Sequence, residues 1–255
     1  MQVIGVTGAG KTTFVNTVTG ENSLETNDDV DSVTQEAVSI TCSIDGKSVT
    51  LIDTPGFDDR QRTEVDILKL VAKHLMDTYS SGTYLNGVVF LQPINQARVG
   101  ASEASRTRLF KKLLGDQAFH RVIIGGTMWT SREDAERKIE QRKNRTDIWG
   151  DMVQQGATPV AYDNTREGAL TIIRALMEHQ PGKLLIQEEL ASGKSLLETS
   201  AGRELEKQKG EDIAKLREEL RDLKSDKEAT AAEIQHLKDK IYQKEEEIME
   251  LNRGC

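Results

Sequence analysis

The chain has 255 residues, of which 36% are hydrophobic and 30% charged, with a formal net charge of −8. That is room for one core-bearing domain plus an extended element, and it is too polar for a wholly globular chain. The acidic balance argues against general nucleic-acid binding, which needs a Lys/Arg excess to neutralise phosphates, while a locally basic pocket stays open.

Residues 2–6 read as a short buried strand that runs into a glycine loop, with a helix expected over 11–19. Gly5-Val6-Thr7-Gly8-Ala9-Gly10-Lys11-Thr12 satisfies G-x-x-x-x-G-K-[ST] in full. Glycines let successive backbone N–H groups turn toward phosphates, so Gly8, Ala9, Gly10, Lys11, Thr12 and Thr13 form the expected nucleotide cradle. Lys11 would place a point charge on the β and γ phosphates, and the Thr12 hydroxyl would ligate Mg²⁺. A second Gly-Lys-Ser, at 193–195, has Glu188 where the motif needs glycine and follows no strand, so it reads as chance.

Residues 20–35 are polar and aperiodic, which predicts a mobile loop. Segments 37–44 and 47–52 alternate around Asp45-Gly46, the pattern of a β-hairpin with a two-residue turn. A P-loop chain whose second strand pairs antiparallel to its third fits the Ras-like GTPases better than the all-parallel kinases and ATPases. The hairpin ends in Leu51-Ile52-Asp53-Thr54-Pro55-Gly56. Asp53 would hold Mg²⁺ through water, and the Gly56 N–H would sense a γ-phosphate.

Strands are further expected at 87–91, 122–125 and 158–161, with helices over 64–79, 102–114, 132–155 and 166–179. The alternation predicts an α/β fold: a mostly parallel sheet with one antiparallel hairpin strand, flanked by helices. Pro181-Gly182 marks a domain edge, so residues 1–181 form the expected nucleotide domain. Residues 182–210 read as a helical connector interrupted by Gly193, Gly202 and Gly210.

From 211 to 255 a heptad stripe predicts one coiled-coil helix: Ile213, Leu216, Leu220, Leu223, Lys227, Thr230, Ile234, Leu237, Ile241, Lys244, Ile248, Leu251. At about 1.5 Å per residue it would span roughly 60 Å. Such a stripe must dimerise, fold back on the domain or accept another protein's helix, or else remain a solvated single helix. Parallel self-association ranks first, with Lys227, Thr230 and Lys244 as weak points in the seam.

Gly-Val-Thr-Gly-Ala-Gly-Lys-Thr-Thr-Phe, Ser32-Val33-Thr34 and Ile52-Asp53-Thr54-Pro55-Gly56-Phe57-Asp58-Asp59 resemble the septin-like and immunity-associated GTPases. Thr127-Met128-Trp129 is similar to the fungal G-domain-containing proteins of that group, many of which carry coiled-coil tails. The resemblance spans about residues 2–210. It implies GTP/GDP and Mg²⁺ as ligands, and Thr34 as the threonine that closes on the metal when a γ-phosphate is present. On the residues alone Thr26 competes for that role. Lys11, Thr34 and Gly56 are then the expected catalytic residues, and Thr12, Thr34 and Asp53 the expected metal residues.

Two departures matter. The usual guanine reader, Asn/Thr-Lys-x-Asp, is replaced by Thr127-Met128-Trp129-Thr130, with no carboxylate in place. Trp129 either stacks on the purine or packs, and Asp163 or Asn164 would read the base edge from the next loop, so ATP stays open beside GTP. Phe57 stands where Ras-like enzymes carry the glutamine that orients water, which predicts slow hydrolysis unless a group arrives in trans. Arg98 is either that donor or an ordinary surface arginine. The expected partners are the nucleotide, a second copy joined through the nucleotide domain or the coiled coil, and a coiled-coil protein. No nucleic acid is expected. With two cysteines, no signal peptide and no apolar run near the ~20 residues of a membrane span, the expected compartment is cytoplasmic. The expected function is a nucleotide-controlled assembly switch with slow, Mg²⁺-dependent GTP hydrolysis; the alternatives are a scaffold that holds nucleotide without turnover and an ATP-specific P-loop hydrolase.

Overall fold

The computed structural model describes residues 1–20, 37–56, 62–96, 98–225 and 230–253. The loop expected over 20–35 falls almost wholly outside them. Among the described residues, no helix is long and apolar enough to cross a membrane.

Six strands form one sheet: β1 (Gln2–Gly5), β2 (Val38–Ile44), β3 (Lys47–Asp53), β4 (Val88–Pro93), β5 (Val122–Thr127) and β6 (Thr158–Ala161). Their order is β2-β3-β1-β4-β5-β6, parallel except for the β2–β3 pair. This is the Ras-like arrangement that the hairpin predicts. Asp45 and Gly46 both have positive φ, 50° and 77°, which matches the right-handed twist of the two strands they join.

Alternating side chains divide the core into two layers. Val3, Leu51, Val89, Leu91 and Ile123 face α1 (Lys11–Thr19) and α6 (Arg166–Met177), where Phe14, Val15 and Ile173 meet them. Ile4, Ile52, Val88, Phe90 and Ile124 face α2 (Glu64–Ser80) and α3 (Ala101–Leu114). Thr63 starts α2 by accepting from the Asp66 amide while Asp66 accepts from Thr63, which satisfies two end donors reciprocally.

The single helix expected over 132–155 is broken. α4 (Arg132–Lys143) stops, a wide turn covers Thr146–Gly150, and α5 (Asp151–Gln154) follows. The turn buries Ile148 and Trp149 in the α3-side core. Gly150 permits it, because a Cβ there would lie 2.9 Å from the Arg145 carbonyl. Arg142 is buried as well and donates to both oxygens of Glu103 on α3, at 2.7 and 3.0 Å.

The tail also departs from expectation. α7 (Leu185–Ala191) ends at Ser192, ahead of Gly193. The long C-terminal helix, α8 (Ser200–Ser225), begins inside the expected connector and runs through Gly202 and Gly210. A Cβ at Gly202 would meet the Leu196 carbonyl oxygen at 2.0 Å, so glycine there serves close packing. The heptad stripe then continues in a second helix, α9 (Ala231–Asn252), instead of extending the first.

Thr230, expected in the seam, is an exposed N-cap: it accepts from the Glu233 amide, and Glu233 accepts from Thr230. Lys227 lies outside the described residues. α9 runs antiparallel to α8, since Lys209 pairs with Glu247 (2.6 Å) and Asp212, further along α8, pairs with the earlier Lys244 (2.9 Å), so the stripe is satisfied in part by folding back within the chain. Ile213, Ile241 and Leu251 are buried, and Leu251 joins the α3-side core.

Lys209, 7% exposed, sits between Glu64 of α2 (2.8 Å) and Glu247 of α9 (2.6 Å). Removing the cation would leave the buried Glu247 carboxylate facing the half-buried Glu64 with no counter-ion between them. Lys209→Ala is therefore expected to destabilise the chain by about 3 kcal/mol and to expose α9 first. Urea unfolding and amide exchange along 231–252 check this, and unchanged protection of α9 would contradict it.

Candidate nucleotide site

The site begins with strand register. β1 pairs in parallel with β3 and β4, setting Val3 beside Asp53 and Gly5 beside Leu91. The chain leaves β1 at Gly5 and turns through Gly8 (φ 75°) and Gly10 (φ 89°) before entering α1 at Lys11. A Cβ on Gly8 or Gly10 would meet nothing within 4 Å, so the outer side of the loop is open. Ala9 is buried and its amide donates to the Val6 carbonyl at 3.1 Å, which anchors the inner side. No side chain caps α1 at Gly10. The first-turn N–H groups and the positive end of the helix dipole thus face the open loop, a setting that favours an anion.

Lys11 is 7% exposed and its ammonium donates to the Val6 carbonyl at 2.9 Å, so the cation is folded back over the loop. Thr12 donates its hydroxyl to Asp53 Oδ2 at 2.7 Å. Asp53, fully buried, ends β3. Thr13 is exposed in the first turn of α1. A hydroxyl and a carboxylate in contact beside an open cradle are the hard oxygen donors that Mg²⁺ takes, usually one or two from protein with the rest from water and phosphate. The donor set therefore fits Mg²⁺ with a polyphosphate.

Sequence reasoning missed Thr7. A Cβ at Gly56 would lie 2.4 Å from both the amide nitrogen and the hydroxyl of Thr7, so Gly56 packs directly on the phosphate loop. The Thr7 hydroxyl is buried without a hydrogen-bond partner among the described residues. Thr54, just before, donates to the Val3 carbonyl at 2.8 Å and ties the segment to β1. Thr34, its competitor Thr26, and Phe57 lie outside the described residues. Arg98 is exposed between β4 and α3.

On the base side, Thr127 at the end of β5 donates to the Ala9 carbonyl at 3.3 Å, which links this loop to the phosphate loop. Trp129, half-buried, donates its indole N–H to the carbonyls of Gly126 (3.1 Å) and Tyr162 (3.0 Å). Its edge clamps the ends of β5 and β6, and its body packs against the core. Tyr162 packs edge-on against Phe14 at 5.2 Å, and burial pushes its hydroxyl pKa up to about 12.

Asp163 Oδ1 accepts from the Thr165 hydroxyl (2.7 Å) and amide (3.0 Å), which hold its pKa below the usual range, the hydroxyl contributing most. Thr165 in turn caps α6. Asn164 is exposed with φ 58°. The second Gly-Lys-Ser holds no such loop: Lys194 pairs with Glu189 at 2.9 Å and Ser195 binds Glu198.

Residues 1–92 match the profile of the 50S ribosome-binding GTPase family. GTP-binding protein A of Dictyostelium discoideum is 27% identical over 122 residues, covering 48% of this chain and 26% of that protein. The chain thus spans about a quarter of the length of this curated relative. Toc33 from Arabidopsis thaliana in complex with GDP and Mg²⁺ superposes with TM-score 0.52 at 14% identity, covering 72% of this chain and 86% of that one. A structure described as showing that dimerization is important for the GTPase activity of the chloroplast translocon components atToc33 and psToc159 gives TM-score 0.56 at 14% identity, over 69% and 80% of the two chains. These structural likenesses establish the fold.

Gly56→Ala is expected to force the segment after β3 away from Thr7 and destabilise the domain by about 1–3 kcal/mol, the range for an overpacked contact. Chemical denaturation checks this, and a wild-type midpoint would show that the two segments are not in contact.

Proposed function

We propose that the chain is a P-loop GTPase that binds GTP or GDP with Mg²⁺ and hydrolyses GTP slowly, with turnover linked to dimerisation. The contact between Thr12 and Asp53, beside an open glycine loop at a helix N-terminus, carries this reading. Backbone amides of 8–13 would hold the phosphates, and Lys11 would swing from Val6 to neutralise their oxygens. Mg²⁺, held by Thr12 and through water by Asp53, supplies charge neutralisation when bound. Gly56 would report the γ-phosphate, a reading supported by its close packing on Thr7. Thr34 is assigned to close on the metal by resemblance of Ser32-Val33-Thr34 to the septin-like group. That subfamily is our reading of the motifs, which the GTPase profile over residues 1–92 supports at the coarser level.

Phe57 has no group to orient an attacking water, so a lone copy lacks that catalytic element. A second copy would supply it across the nucleotide, with Arg98 as the nearest candidate donor in sequence to the β4 end of the site. The dimer-dependent activity described for the translocon components supports this by analogy of fold. Residues 1–181 would then be the catalytic unit, 182–210 the connector, and the helices beyond it the part that communicates nucleotide state to partners, in the cytoplasm. Phe57 equally favours a scaffold that holds nucleotide without turnover.

Lys11→Ala is expected to weaken GTP binding at least about 100-fold, by loss of a charge-assisted contact with phosphate. Wild-type affinity in that variant rejects the site. Hydrolysis per molecule is expected to rise with protein concentration, whereas a rate that stays at zero when the protein is concentrated assigns the scaffold role.

A further inference from the structure

The base-side loops suggest which purines enter, an inference that rests on the nucleotide reading above. The Thr127 hydroxyl reaches Ala9, so the residues from 127 to 130 hold the place of an Asn/Thr-Lys-x-Asp reader, counted from the residue that contacts the phosphate loop. In that register Met128 replaces the lysine and Thr130 replaces the aspartate. Guanine presents two donors, N1–H and the 2-amino group, on one edge, and a carboxylate is an acceptor-only partner that selects them. The Thr130 hydroxyl gives its proton to Asp134, and its one neutral oxygen can accept from guanine's N–H groups or from the amino group of adenine without strong preference.

Neighbouring carboxylates are committed elsewhere. Asp134 accepts from Thr130 Oγ1 (3.2 Å), Lys138 (2.7 Å) and Arg137 (2.7 Å). Lys138 also donates to the Asn95 carbonyl at 3.1 Å, which draws this cluster toward the β4 side. Asp163 is anchored by Thr165 through Oδ1, which fixes the carboxylate at the start of α6 in the next loop and not in the register of the missing aspartate. The indole N–H of Trp129 is spent on two backbone carbonyls. The exposed residues that remain are Met128, 48% exposed with φ 59°, and Asn164, with φ 58°. A thioether chain makes an apolar platform that does not distinguish bases, and a carboxamide pairs with either edge.

We propose that this site discriminates weakly between guanine and adenine, accepting ATP as well as GTP, and that Thr130 is the residue responsible. Sites built on a dedicated hydrogen-bonding partner reject the wrong ligand strongly, because that partner is left unpaired, and among the described residues no carboxylate stands in the register of that partner.

Calorimetric titration with GDP and with ADP, at equal Mg²⁺, tests this on the full chain. The two dissociation constants are expected to lie within about tenfold of each other, and Thr130→Asp is expected to raise the preference for GDP by at least about tenfold, the order of one charged hydrogen bond. A wild-type preference for GDP above about 100-fold overturns the proposal by itself, whether or not the variant, with its carboxylate set beside Asp134, folds. A folded variant with no gain in GDP preference also overturns Thr130 as the determinant. Failure of both nucleotides to bind rejects instead the nucleotide site itself.

Discussion

The parallel register of β1 with β3 is the constraint on which the rest of the site depends. It sets Val3 against Asp53, and the carboxylate then meets the Thr12 hydroxyl across the loop that β1 feeds. A slip of one residue would turn Asp53 to the other face of the sheet, since side chains alternate. Both strands are held by apolar packing on two faces: Val3 and Leu51 below α1, Ile4 and Ile52 below α2. The polar contact is thus positioned by hydrophobic layers that take no part in it. Thr54 on Val3 and Gly56 on Thr7 extend the same register into the segment after β3, so one strand pairing locates successive contacts with β1 and with the glycine loop it feeds.

The tail is joined to this unit through a charged cluster. Burial works to lower the pKa of Lys209, and the carboxylates of Glu64 and Glu247 more than offset it, so the ammonium form is favoured. Glu64 opens α2, the helix that follows Gly56, which places the α8–α9 hairpin against the same helix that carries the chain away from the site. Arg217–Glu245 and Lys244–Asp212, farther out, are more exposed and add little stability, but they agree with the same antiparallel alignment.

The open glycine loop and the Thr12–Asp53 contact were legible because glycine spacing, a lysine and a terminal carboxylate are local features of one loop and two strand ends. Helix boundaries at Lys11 and Glu64, the hairpin at Asp45-Gly46 and the strand order class followed from the same kind of signal. The break after Lys143 was not legible from periodicity: the charged surface of α4 gives no stop, and the turn forms because Trp149 has a place to be buried under α3. The break before α9 had a written signal, Thr230-Ala231-Ala232-Glu233, which is a capping box. Reading Thr230 as a seam position hid it.

Local chemistry in the sequence therefore determined the class of fold, the glycine loop at the mouth of α1 and the donors suited to Mg²⁺, because each of these needs particular residues within a few positions of one another. Tertiary structure alone decided which carboxylates of the base-side loops are already engaged, that Trp129 clamps two strand ends, and that the heptad stripe closes on its own chain. Those outcomes turn on contacts between residues tens of positions apart, Lys209 with Glu64 and Trp129 with Tyr162 among them, and their energies exist only once the packed layers bring the partners together.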